Sequence, residues 1–311
     1  MDEFLWSQRY RPKSVSDCII PDRLKTTFQE FVDTQEIPNL MLCGTAGVGK
    51  TTLAMAMCSQ MGLSHMFINA SRERGIDTLR TKIVSYASTT SFDGKRKVII
   101  LDEADNLTHD TQLALRGSIE EFSHNCTFIL TCNYKAKIIE AIHSRCAIID
   151  FTLKNDEKPR MAAAFFKRLS EILIQEKVEY TDEVLIAVVK KFFPDYRRTL
   201  NEIQRYAKGG KLDAGLLSHI NDFKTLSVLF KNLKEKDFTA TRKWVASNSD
   251  IDSSTLFRKV YDSLVEHMKP ESIPQAILIL AKYQYQSAFV ADQEINTMAF
   301  FTELMVETEM L

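Results

Sequence analysis

No hydrophobic run in this chain approaches the ~20 residues that a membrane-spanning helix requires, which excludes an α-helical membrane protein. The start, Met1-Asp2-Glu3, is acidic where a secretory signal would be basic, so no such leader is expected. Charge of one sign is not in excess. Forty Lys+Arg against 41 Asp+Glu give a formal net charge of −1, which excludes wholesale polyanion binding. Any nucleic-acid contact must come from a local basic patch, or from patches pooled across an oligomer. The six cysteines (Cys18, Cys43, Cys58, Cys126, Cys132, Cys146) contain no CxxC pair, which argues against a zinc site. They are expected as small, reduced core residues in a reducing compartment. Fixed-period repeats and low-complexity tracts are also missing. What remains is a chain of 311 residues, 45% apolar, long enough for two or three domains with substantial cores.

Five short apolar runs fill the first half: Leu40–Cys43, Met66–Ala70, Val98–Leu101, Thr127–Cys132 and Ala147–Phe151. Helical patterns or loops separate them, as in a parallel α/β sheet flanked by helices. The runs are apolar throughout, which predicts strands covered on both faces. After Phe151 the text turns helical. Asp156 and Thr181 are expected to cap helices over Lys158–Lys177 and Asp182–Phe193. A third helix, from Pro194-Asp195 to about Lys208, ends at Gly209-Gly210. Amphipathic stretches then recur at Phe223–Lys236, Thr239–Ser247, Ser254–Met268, Ile273–Tyr285 and Asp292–Glu309. Phe230, Trp244, Phe257, Tyr261, Phe300 and Phe301 are expected in their core. The resulting division is residues 1–153 for the sheet domain, 154–210 for a small helical lid and 211–311 for a separate all-α domain.

Chemistry concentrates in the first of these. Gly44-Thr45-Ala46-Gly47-Val48-Gly49-Lys50-Thr51 has the form Gly-x-x-x-x-Gly-Lys-Ser/Thr, between the first apolar run and a helical stretch from Thr52 to Met61. That strand–loop–helix setting is the one a phosphate-binding loop needs. Glycines let successive backbone N–H groups point inward, and the new helix adds its positive end. Lys50 is expected at the β- and γ-phosphates of ATP, and the Thr51 hydroxyl on Mg²⁺. The run Lys97–Leu101 ends in Asp102-Glu103, at the sheet rim where α/β ligands bind. Asp102 fits a metal-holding role through water, and Glu103 that of general base toward the attacking water. Asn133 ends the next apolar run, where a neutral side chain can hydrogen-bond the γ-phosphate or the water. Arg145, in Ser144-Arg145-Cys146, precedes the fifth run and so lies away from Lys50; spacing alone leaves it a surface arginine. Arg197 opens the third lid helix, from which a guanidinium could reach the same phosphates.

Taken in order, these motifs resemble the AAA+ ATPases, and among them the clamp loaders. Asn69-Ala70-Ser71-Arg72-Glu73-Arg74-Gly75-Ile76-Asp77-Thr78-Leu79-Arg80 is similar to the segment that marks the replication factor C small subunits. Phe193-Pro194-Asp195-Tyr196-Arg197 and the compact length look most like the large subunits of T4-type bacteriophage clamp loaders. The resemblance implies an AAA+ sheet domain, a lid and an all-α collar that ties subunits into a five-membered spiral. It implies viral DNA replication in the bacterial host cytoplasm. The implied partners are a sliding clamp, primer–template DNA, copies of the chain itself and a different small subunit. Tyr10, Arg11 and Pro12 would line the adenine pocket. Asn133 would be sensor 1, Arg197 sensor 2, and Arg145 an arginine finger acting on a neighbour's nucleotide. Arg80, Lys82 and Arg116 would track DNA phosphates, and Gln112 would couple DNA contact to the ATP site. Without the resemblance, Arg80 and Lys82 are ordinary solvated helix charges. The helix near Ser85–Thr90 and the N-terminal ATPase face are candidate clamp contacts.

Two positions depart from the family pattern: Arg72 stands where many members have Asp, and Gly117 where they have a second arginine. The zinc-binding cysteine cluster of the bacterial ATPase branch is missing. The leading expectation is a DNA-dependent ATPase that loads clamps. The alternatives are a DNA-translocating motor of the branch-migration kind and a scaffold that binds ATP without hydrolysing it. An intact Glu103 opposes the scaffold.

Overall fold

In the computed structural model, the described residues are 4–73, 75–89, 91, 94–212, 222–248 and 252–311. Arg74 and Thr90 lie outside them. The chain divides into two units, Met1–Leu216 and Leu217–Leu311.

The first unit is built on five strands: β1 (Leu40–Cys43), β2 (His65–Asn69), β3 (Lys97–Asp102), β4 (Cys126–Cys132) and β5 (Ala147–Asp150). They form one parallel sheet in the order β2-β3-β4-β1-β5. Alternation along each strand sends side chains to two opposite cores. Met41, Cys43, Ile99, Leu101, Phe128 and Leu130 pack on one face, beneath α4 (Ile76–Ala87) and α5 (His109–Glu121). Leu40, Leu42, Val98, Ile100 and Ile129 pack on the other, with Phe28 of α2 (Asp22–Thr34) and Leu53 of α3 (Lys50–Gln60). This two-sided burial explains why the central runs lack polar alternation: β1, β3 and β4 are buried at every position. The edge strands differ from that expectation. Phe67 of β2 and Ile148 of β5 are exposed, because an edge strand has one neighbour and incomplete helix cover. All six cysteines are free and buried, and the Cys132 thiol meets Cys43 Sγ at 3.3 Å.

Past the short α6 (Glu140–His143), the lid comprises α7 (Glu157–Gln175), α8 (Asp182–Phe192) and α9 (Tyr196–Tyr206). Phe165, Leu169, Leu185, Val188 and Ile203 form its buried face. Asp156 and Thr181 hold the expected N-cap positions, but neither makes a side-chain cap bond. Near the first helix the exposed Lys154 N–H is instead satisfied by Glu157 Oε2 at 2.9 Å. Asp195 does cap α9, accepting from Arg198 N at 2.9 Å. The short α1 (Trp6–Arg9) packs on α9, where Gln204 accepts from Trp6 N and donates to Phe4 O.

Among the described residues, the second unit is built on helices: Asp222–Lys234, Phe238–Ser247, Ser253–His267, Ile273–Ser287 and Gln293–Glu307. Asp237, Asp252 and Asp292 cap three of them. Phe257, Phe300 and Phe301 are fully buried in its core, beside Phe230 and Trp244. Tyr261 departs from expectation and is exposed, with Arg258 over its ring at 5.2 Å. Among the described residues, no helix is long and apolar enough to cross a membrane.

Candidate nucleotide site

The ends of β1, β3 and β4 converge at one rim of the sheet, where β1 and β4 finish in register at Cys43 and Cys132. The loop after β1 turns through Gly47 (φ +77°) and Gly49 (φ +92°) into α3, which begins at Lys50, two residues earlier than the sequence suggested. Gly47 is where a side chain is least tolerable. A Cβ there would overlap the Asp195 carboxylate, because the loop meets the start of α9. Tyr196 N donates to Gly47 O at 3.1 Å across that contact.

Lys50 is buried, and its ammonium donates to Gly44 O (2.7 Å), Thr45 O (2.8 Å) and Asn133 Oδ1 (2.9 Å). Burial holds it below the ordinary lysine range, partly offset by Asp102 and Asp105. Gly44 and Thr45 therefore hold Lys50 through their carbonyls and do not line the cavity, while Ala46, Gly47, Val48, Gly49, Lys50, Thr51 and Thr52 do.

Thr51 Oγ1 donates to Asp102 Oδ1. The same carboxylate oxygen accepts from Thr131 Oγ1 at 2.8 Å, and Thr131 Oγ1 accepts from Glu103 N at 3.1 Å. Thr131 thus orients both acidic residues, a part that sequence reasoning missed. Its signal was a hydroxyl inside an apolar strand, one step beyond the Leu101–Leu130 pair. Glu103 sits at φ +57°, ψ +43°, a left-handed conformation costing about 1–2 kcal/mol for a residue with a Cβ. Strain of that kind gathers where geometry serves a function. Its carboxylate accepts from Asn106 Nδ2 at 3.3 Å.

Asp102, Glu103, Asn133 and Arg197 line the same cavity, joined by Tyr10, Arg11 and Pro12 from the N-terminal segment. Arg168 of α7 also lines it and was not anticipated. The Tyr10 hydroxyl donates to Glu176 Oε1 at 2.5 Å, and Arg9 Nη1 does so at 2.7 Å. Burial, then Glu176, raises the Tyr10 phenol above its ordinary range. Arg11 Nε is buried with no hydrogen-bond partner among the described residues. An unsatisfied cation donor, a buried ammonium and a glycine loop that lines the cavity and opens α3 suit a polyanionic, hydrogen-bonding ligand such as a nucleotide.

Arg145 lies outside this cavity, before β5, with its guanidinium on Glu120. Arg80, Lys82 and Arg116 are exposed on the packed pair α4 and α5, and Lys82 Nζ stands 2.7 Å from Glu73. Gln112 is buried on α5. Its amide donates to Leu107 O (3.2 Å) and Lys137 O (3.0 Å), and its carbonyl accepts from Ile139 N (2.8 Å). One side chain thereby ties α5 to the segments that follow β3 and β4.

A family model for the ATPases associated with various cellular activities matches residues 40–152. A second, for the AAA+ ATPase lid domain of the sliding-clamp-loader large subunit, matches residues 157–218. The sliding-clamp-loader large subunit of Enterobacteria phage T4 is 34% identical over 99% of this chain and 97% of its own length. The replication factor C small subunit of Archaeoglobus fulgidus is 39% identical over 68% of this chain and 67% of its own. Among solved structures, a RuvB variant from Thermotoga maritima superposes with a TM-score of 0.53, covering 82% of this chain and 79% of that one. At 16% identity it speaks for the fold alone. A parallel sheet, a phosphate loop closed by a lid and full-length likeness to the phage subunit place the chain in one group: it belongs to the clamp-loader family of AAA+ ATPases.

Proposed function

We propose that the chain is the ATPase subunit of a sliding-clamp loader, in which ATP binding drives clamp opening and primer–template engagement. Hydrolysis then releases the clamp onto DNA for processive replication. The observation that carries this reading is the 34% identity to the phage T4 large subunit across nearly the whole chain.

Within the cavity, Tyr10, Arg11 and Pro12 take the adenine end. The amides of residues 46–49 and the Lys50 ammonium take the phosphates, with Arg197 reaching in from the lid. Thr51 and Asp102 present hydroxyl and carboxylate oxygens to one another, a donor set suited to Mg²⁺. The ion would neutralise charge on the phosphates. Glu103 receives the proton of the attacking water, and Asn133 orients that water or the γ-phosphate. Arg145 serves the nucleotide of a neighbouring subunit and there stabilises charge on the transferring group. Its place outside its own chain's cavity supports that role.

Arg80, Lys82 and Arg116 contact DNA phosphates without reading sequence, so binding weakens steeply with salt. Gln112 passes that contact to the segments after β3 and β4. Residues 1–153 form the ATPase domain, 154–210 the lid and 211–311 the collar. Exposed Val265, Leu278, Tyr285 and Phe289 in the second unit are the kind of apolar surface that a collar buries between subunits. Four copies with one different small subunit make the assembly, working in the cytoplasm of a bacterial host.

Steady-state ATP turnover tests the proposal, with primer–template DNA and the cognate clamp added separately and together to the assembly with its small subunit. Strong joint stimulation is expected. Stimulation by DNA that clamp leaves unchanged would favour a translocating motor. No turnover under any condition, in wild type as in Glu103→Gln, would favour a scaffold.

A further inference from the structure

The guanidinium of Arg145 is engaged at all three nitrogens within its own chain. Arg145 Nε donates to Glu120 Oε1 at 2.7 Å, and Nη2 donates to the same oxygen. Nη1 donates to Ala141 O at 2.7 Å and to Ser144 Oγ at 3.0 Å. Four of its five N–H bonds are thereby committed, which leaves no free pair to fork onto a phosphoryl oxygen.

Glu120 finds its main partner outside its own helix. It lies in the last turn of α5, which contains no basic residue, and there the helix dipole disfavours a carboxylate. It is absent from the residues that line the nucleotide cavity. Its interactions run outward: the Arg145 bond, then the charges of Arg145 and of Arg116 one turn back, keep its carboxyl below the ordinary range. A carboxylate fixed on a guanidinium also cancels the charge that a developing phosphoryl transition state would use, and it would repel the phosphate oxygens themselves.

We propose that Glu120 is a latch on Arg145, holding the guanidinium in its own subunit until the charge developing on the transferring phosphoryl group of a neighbouring subunit's nucleotide displaces the carboxylate. This rests on the reading of Arg145 as a residue that acts in trans. Glu120 is a positioning residue, since it acts through Arg145 and does not line its own chain's nucleotide cavity. The pair is partly exposed (Arg145 side chain 30%, Glu120 54%), and such surface ion pairs are weak. Weakness suits a latch, because the charge developing on the transferring phosphoryl group can then outcompete one carboxylate.

The test compares ATP turnover without DNA in the wild-type assembly, Glu120→Gln, Glu120→Asp, Arg145→Ala and the double variant Glu120→Gln/Arg145→Ala. Removing the charge should raise kcat on the order of threefold, the scale an exposed ion pair supplies, with KM unchanged. Glu120→Asp, with its charge kept on a shorter stem, should fall between. The gain should shrink as salt rises and the wild-type latch is screened, which a structural role for Glu120 would not produce. The double variant should match Arg145→Ala. An unchanged or lowered kcat in Glu120→Gln, with Arg145→Ala inactive, would overturn the latch alone. Normal turnover in Arg145→Ala would overturn the trans-acting reading beneath it, and the latch with it.

Discussion

Lys50 Nζ reaches Asn133 Oδ1 over 2.9 Å, so the ammonium of the phosphate loop and the polar end of β4 are one hydrogen-bonded unit. Loop and strand end are held apart in sequence but side by side in the sheet, because β1 and β4 are neighbours. The amide fixes where the ammonium points before any phosphate competes for it. Asn133→Ala should therefore lower kcat by roughly a hundredfold, the usual cost of one oriented polar group at a phosphoryl centre, while nucleotide affinity changes little. Single-turnover hydrolysis beside equilibrium nucleotide binding separates the two. Equal losses in both would show that Asn133 serves ground-state binding.

Nucleotide affinity should fall as pH rises. Burial sets the pKa of Lys50 below 10.5, and phosphate oxygens favour the charged ammonium, so binding raises that pKa again. Below the lowered value both states carry the proton and affinity is flat. Above it the free protein holds neutral Lys50, and binding must take up a proton. Affinity then drops by up to about tenfold per pH unit. Titrating a fluorescent ATP analogue between about pH 7 and about pH 10 measures the slope. A flat profile across that window would mean that the lysine is not depressed.

How much of this was legible in the sequence varies with the range of the interaction involved. Each of the five apolar runs overlaps a strand, because a run flanked by breakers reports local preference and burial together. Strand order was not legible, nor was the exposure of Phe67 and Ile148, since both depend on which strands end up at the edges. The N-cap positions of Asp156 and Thr181 were legible, but not that neither side chain would bond there, nor that Asp195 would accept from Arg198 N, because such a bond depends on the local backbone angles. The convergence of Lys50, Asp102 and Glu103 on one cavity followed from a loop motif and a strand end. Thr131, Arg168 and Glu120 carry no motif, and each acquires its place through contacts made between elements far apart in the chain.

Gly47→Ala should uncouple the phosphate loop from the lid. The new methyl would collide with the Asp195 carboxylate and occupy a left-handed backbone, costing roughly 1–3 kcal/mol. Asp195 caps α9, so displacing it disturbs the helix start from which Arg197 enters the cavity. Nucleotide binding and turnover should both fall, and thermal unfolding of the variant should become less responsive to added ATP. Unaltered ATP stabilisation would mean that the loop moves without disturbing α9.

Glu176 fastens the N-terminal segment to the lid. Its Oε1 accepts both the Tyr10 hydroxyl and Arg9 Nη1, and Tyr10 itself lines the cavity. Glu176 lies just beyond the end of α7 and does not line the cavity. Losing it should therefore weaken capture of the base and leave the chemical step alone. Glu176→Ala is expected to raise KM for ATP by about fivefold with kcat nearly unchanged, the pattern of a lost uniform-binding interaction. Tyr10→Phe, which removes one of the two bonds, should produce a smaller rise in the same direction. A fall in kcat without a change in KM would instead tie the N-terminal segment to lid closure during turnover.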